Sequence, residues 1–92
     1  MGDAVAIRFV GRFQTASFLE FARHRAARLA LRSAVRAATS DHIELVVAGE
    51  KDLVDAFEIA CSLGPIDCLV FDYRRVSPGE NCGELLAEMG HR

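Results

Sequence analysis

Two prolines, three cysteines and no apolar run longer than four residues in a chain of 92 remove several classes of protein at once. Runs such as Cys68 to Phe71 fall far short of the roughly 20 apolar residues that cross a bilayer. No basic segment followed by an apolar one opens the sequence as a secretory signal would, so a cytoplasmic protein without membrane contact is expected. Cys61, Cys68 and Cys82 are odd in number and spaced seven and fourteen apart, which suits neither a disulfide framework nor a zinc site. Buried or idle thiols are expected instead. His24, His42 and His91 have no cysteine or second histidine at a helical offset, so neither metal nor other cofactor is expected. What is present is 51% hydrophobic and 26% charged, a balance that disordered chains lack. One domain over 1–92 follows, with a single core that hides roughly 60 to 70% of the extended surface.

The net charge of −2 conceals two halves, with seven arginines against four acids in 1–46 and four bases against nine acids in 47–92. Arg23, Arg25, Arg28 and Arg32 crowd one segment; Glu50, Asp52, Asp55 and Glu58 crowd another. Nucleic-acid binding would need a larger basic excess and aromatic platforms beside it, so it is not expected. Two helices side by side account for both clusters, their opposite charges facing each other or solvent at about 0.2 to 1 kcal/mol per pair.

Hydrophobic period gives the elements. Ala4 to Val10 alternates Val5, Ile7 and Phe9 against Ala4, Ala6 and Arg8, as a strand with one buried face does. Gly11 to Ala16 is a loop. From Ser17 to Leu31 the period lengthens, and Phe18, Phe21, Ala22, Ala26 and Leu29 form the apolar stripe of a helix. Ser17 followed by Glu20 predicts a capping box at its start. Ser33 to Ala38 and His42 to Ala48 are strands joined by the polar turn Thr39-Ser40-Asp41. Lys51 to Leu63 is a second helix, closed by Gly64-Pro65. Asp67 to Arg75 is the last clear strand, with Leu69, Phe71 and Tyr73 on one face. Residues 76–92 form a tail or edge strand, in which 83–89 suits a strand or a short helix. Phe9, Phe18, Phe21, Phe57 and Phe71 are expected in the core, and Phe13 as an exposed contact residue.

A strand, helix, strand, strand, helix, strand order in this length predicts a ferredoxin-like α+β sandwich, a split β-α-β arrangement with both helices on one face of an antiparallel four- or five-stranded sheet. Within that order, Ile7 to Leu19 reads IRFVGRFQTASFL and resembles the acylphosphatase signature, in which a strand runs into GRVQGVGFR and a helix. Ser33 to Glu44 is similar to that family's second motif, G-W-V-x-N-x-x-D-G-x-V-E. Gly11, Arg12, Gln14 and Phe18 agree by identity. The resemblance implies a phosphate-cradling loop over Arg12, Phe13, Gln14, Thr15, Ala16, Ser17 and Phe18, and hydrolysis of acyl phosphates. In the family, loop amides hold the dianion, an arginine ending the signature stabilises the transition state, and an asparagine in the second motif orients water.

Here the arginine position is Leu19 and the asparagine position is Ala37, which carry neither charge nor hydrogen bond. Thr15 and Ser17 stand where the family has glycines, and the Ser17 and Glu20 capping box would occupy the amides and set a carboxylate against the dianion. Arg12 in the loop and Arg23, one turn beyond Leu19, are possible substitutes, although a solvated face and bonds to loop carbonyls also explain them. Two functions compete. One is a catalytically inactive binding or regulatory module with a protein or small-molecule partner, monomeric or weakly homo-oligomeric. The other is a small acylphosphatase with a rebuilt site.

Overall fold

Six elements follow one another through residues 4–76, the part of the chain that the computed structural model describes. They are β1 (Val5–Arg12), α1 (Thr15–Arg28), β2 (Arg32–Ala38), β3 (His42–Ala48), α2 (Lys51–Leu63) and β4 (Leu69–Val76). The four strands make one antiparallel sheet in the order β2-β3-β1-β4, with β1 and β3 at its centre. The expected tail beyond Val76, the strand or helix at 83–89, Cys82 and His91 lie outside the described residues.

Both helices cover one face. Phe18, Ala22 and Ala26 from α1 and Val54, Phe57 and Cys61 from α2 share a buried cluster with Ile7, Phe9, Ile43, Leu45 and Val47 from the sheet. Phe9, Phe18 and Phe57 are fully buried, and truncating any one of them would cost about 3 to 5 kcal/mol. Phe18 is the hub, with its ring 5.4 Å from that of Phe9 and 4.9 Å, edge-on, from that of Phe13. Phe13 is therefore core, contrary to the exposed role expected of it. The turn out of β1 points its ring inward because the Phe13 N–H donates to the Ser40 carbonyl at 2.8 Å, which ties the turn to the β2–β3 connection.

Two helix boundaries differ from expectation. Helix α1 starts at Thr15, two residues early, with Gln14 as its cap residue and no side-chain cap bond. It ends at Arg28 because Leu31 N–H reaches the Ala26 carbonyl at 2.8 Å and Ala30 N–H the Ala27 carbonyl at 3.1 Å. These two hydrogen bonds form a Schellman stop, with Ala30 at φ 57°. Helix α2 keeps its expected bounds, and Gly64 after it sits at φ 65°, ψ 169°, a region essentially reserved for glycine.

Strand β4 departs most. Val10 pairs with Asp72 but Gly11 pairs with Val70, so Phe71 is an extra residue and the alternation reverses across it. Leu69 now opposes Arg12 while Tyr73 opposes the core residue Phe9, so the two do not share a face. Phe71 is 64% exposed rather than in the core. The acids of α2 also turn elsewhere than toward α1: Arg75 of β4 reaches Asp55 at 2.7 Å and Glu58 at 3.2 Å, which raises the Arg75 pKa. No arginine of α1 pairs with α2 among the described residues, and Arg25 lies over the Phe21 ring instead.

Candidate functional site

The turn from β1 into α1 carries the signature residues. Gly11 is required there by contact: a Cβ on it would lie 1.9 Å from the Leu69 carbonyl oxygen, which the irregular step in β4 brings across. Gly11 N–H donates to the Asp41 carbonyl at 3.1 Å, so β1, β4 and the β2–β3 turn converge on this end of the sheet. That turn is held by Thr39, whose hydroxyl donates to Asp41 Oδ1 at 2.6 Å and accepts from the Asp41 and His42 amides. The bonds from Thr39 and His42 lower the Asp41 pKa.

Thr15, Ala16 and Ser17 form the first turn of α1. Their amides meet no acceptor among the described residues, as the first three amides of a helix have no partner within it. The capping box is not formed. Ser17 lies inside the helix rather than at its cap, and Glu20 stands beyond the first turn, which holds no acidic residue. The Ser17 hydroxyl donates instead to Asp67 Oδ1 at 2.9 Å. A carboxylate does therefore stand near the positive end of α1, but it comes from the α2–β4 connection, 50 residues away in the chain. Beside it the Cys68 thiol is directed at the Gln14 carbonyl, 3.7 Å away, and burial pushes its pKa up.

Two grooves flank this helix start. One, of about 520 Å³, runs between α1 and the sheet and is lined by Leu19, Ala22, Val35, Leu45 and Phe57, with Ser17, Glu20 and Arg23 also on its wall. Leu19 is half-buried and packs against the core. The other, of about 570 Å³, is lined by Arg12, Phe13, Gln14, Ser40, Asp41, Asp67 and Phe71. The two candidate substitutes are thus separated, Arg23 in the apolar groove and Arg12 in the polar one, and neither forms an ion pair among the described residues. Ala37 lines neither groove. The register of β2 shifts at Arg36, leaving Ala37 opposite Glu44, which Arg36 contacts at 3.0 Å and Arg8 at 3.7 Å.

Sequence reasoning thus named the loop but missed Asp67 and Ser40. Asp67 had only the weak signal of an acid just before a strand, and nothing local linked it to Ser17. No group of three or more histidine, cysteine, aspartate or glutamate side chains suited to a metal ion occurs among the described residues. No helix there is long and apolar enough to cross a membrane.

No protein-family model and no curated protein matches the sequence. Solved structures do. An acylphosphatase from Bacillus subtilis superposes with a TM-score of 0.72 at 22% identity, over 84% of this chain and 87% of that one. An acylphosphatase from Coxiella burnetii gives 0.71 at 22% identity, over 86% and 85%. Element order, antiparallel sheet and helix placement agree with these likenesses, and the chain has the acylphosphatase-like, ferredoxin-type fold.

Proposed function

We propose that the protein is a non-catalytic binding or regulatory module of the cytoplasm, built on the acylphosphatase-like fold. The observation that carries this reading is the chemistry of the helix start. Leucine, packed on the core, occupies the position of the family's arginine, and alanine opposite Glu44 occupies that of its asparagine. Transition-state charge has no fork to meet it, and an attacking water has no amide to hold it. Asp67, bonded to Ser17, adds negative charge where a phosphate dianion would have to enter. The amides of residues 15–17 retain their donors, so the barrier to an anion is this carboxylate rather than a closed cap.

A rebuilt hydrolase would need a guanidinium and a water-positioning group converging on those amides. Arg12 and Arg23 line different grooves, and Ala37 offers no hydrogen bond in either. The test is a titration with inorganic phosphate followed through the backbone amides of residues 14–19. No saturable shift is expected at millimolar phosphate in the unmodified protein. Asp67→Asn removes the negative charge and is expected to let those amides respond. Saturable binding by the unmodified protein would favour the hydrolase reading.

A further inference from the structure

Strand β4 ends the sheet, and among the described residues nothing pairs with its outer edge. The bulge at Phe71 and the charges of Asp72, Arg74 and Arg75 interrupt this edge without covering its apolar side chains. Leu69 is 59% exposed, Phe71 64% and Tyr73 39%, and Ile66, just before the strand, is fully exposed. An edge of eight residues bearing large apolar side chains is a template for another strand. Its charges select which strand. Arg74 stands directly opposite Arg8 of β1, a like-charged cross-strand pair that costs stability. Arg8 is compensated by Glu44 at 3.7 Å, whereas among the described residues Arg74 pairs with Asp72 of its own strand alone, at 3.6 Å with both side chains well exposed.

We propose that β4 is the contact edge of a homodimer, pairing antiparallel with β4 of a second copy about a two-fold axis at Tyr73. In that register Asp72 of each copy faces Arg74 of the other, twice over by symmetry, because residues equally spaced about the central one become direct neighbours. Each Arg74 then has a carboxylate on one side to offset Arg8 on the other. Tyr73 then faces its own counterpart across the axis, and Phe71 faces Arg75 of the other copy with Tyr73 at the diagonal position. The Asp72, Arg74 spacing is self-complementary in antiparallel pairing, so a second copy of this chain supplies the matching strand. Phe71 also lines the Arg12 groove, but the pairing of Asp72 with Arg74 does not depend on the proposed function.

Sedimentation velocity over a concentration series from low micromolar to millimolar tests it. The unmodified protein is expected to pass from monomer to dimer. Arg74→Asp places two aspartates opposite each other at two symmetric positions and should weaken the dimer about tenfold or more. Adding Asp72→Arg reverses both charges and should restore association to near that of the unmodified protein. Both side chains are exposed, and circular dichroism checks that the variants fold. A monomer at every concentration, an Arg74→Asp variant that dimerises unchanged, or a double variant that fails to recover would each overturn the proposal. Amide exchange supplies a further arm: residues 70–76 should become more protected as concentration rises. Equal protection in a persistent monomer would mean that another part of the chain covers the edge, and would also overturn it.

Discussion

Replacing Gly11 with alanine separates two explanations of the same residue. By resemblance, Gly11 belongs to a phosphate-binding signature; by contact, it is the point where β4 leans on β1. The added methyl carbon would lie 1.9 Å from the Leu69 oxygen, 2.9 Å from the Leu69 carbonyl carbon and 3.0 Å from Val70 Cα. A carbon atom normally sits about 3.3 to 3.6 Å from a carbonyl oxygen, so the backbones must part by more than an ångström. All three atoms are main chain and cannot turn aside. Backbone displacement of this kind costs about 1 to 3 kcal/mol, and each β1–β4 hydrogen bond lost nearby adds roughly 0.5 to 1.5. For a domain of this size that is a fall in Tm of about 10 to 20 °C. Gly64→Ala is the control, because its added carbon meets nothing closer than 3.6 Å and only the backbone conformation resists it. It should cost about 1 to 3 kcal/mol through that conformation alone, leaving the β1–β4 pairing intact. Thermal and urea unfolding give the stabilities, and amide exchange along Leu69–Val76 shows which variant disturbs the pairing. A Gly11→Ala protein within about 2 °C of the parent, with β4 protection unchanged, would refute the contact explanation.

Three further outcomes follow from the structure. Ala30→Gly should stabilise the protein by about 0.5 to 1 kcal/mol in urea unfolding, because Ala30 holds φ 57° at the end of α1 where glycine is unstrained; a loss of stability would refute the Schellman stop. Burial pushes the Cys61 thiol from its usual 9.0 up to about 12. The unfolded chain therefore releases this proton first, and stability should fall as pH rises from about 9 to 12, with a slope approaching 1.4 kcal/mol per unit that Cys61→Ala removes. Leu19→Arg combined with Ala37→Asn should leave acyl-phosphate hydrolysis near background while costing about 1 to 2 kcal/mol of stability, since Leu19 packs on the core and Arg23 lies one turn away. Rates recovering by the 10² to 10³ typical of one restored donor would show that side chains alone were missing.

How far the sequence disclosed this depends on the range of each signal. The strands around Ile7, Phe9, Ile43 and Leu45 and the helix around Val54, Phe57 and Cys61 were legible because periodicity is local and both faces have distinct neighbours. The element order and the ferredoxin-like arrangement followed from them, and the likeness to acylphosphatases from the motifs at Ile7 to Leu19 and Ser33 to Glu44. What failed was set by distant contacts. Ser17 and Glu20 have capping-box spacing, but the Phe13 amide bond to Ser40 fixes the chain earlier and starts α1 at Thr15. Phe71 alternates correctly with Leu69 and Tyr73 until the register slips opposite Gly11, a step no pattern within β4 announces. Leu19 and Ala37 could be read directly, as could the segment of residues 12–18 that precedes Leu19. Asp67 could not, because its partner Ser17 is brought to it only by the fold.

Hydrolysis of benzoyl phosphate by the purified, unmodified protein tests the proposal that this fold is catalytically silent here. The expected rate equals that of buffer containing an unrelated protein at the same concentration. Turnover well above that control, abolished by Arg12→Ala or Arg23→Ala while the variant stays folded, would overturn the proposal and identify the residue around which the site had been rebuilt.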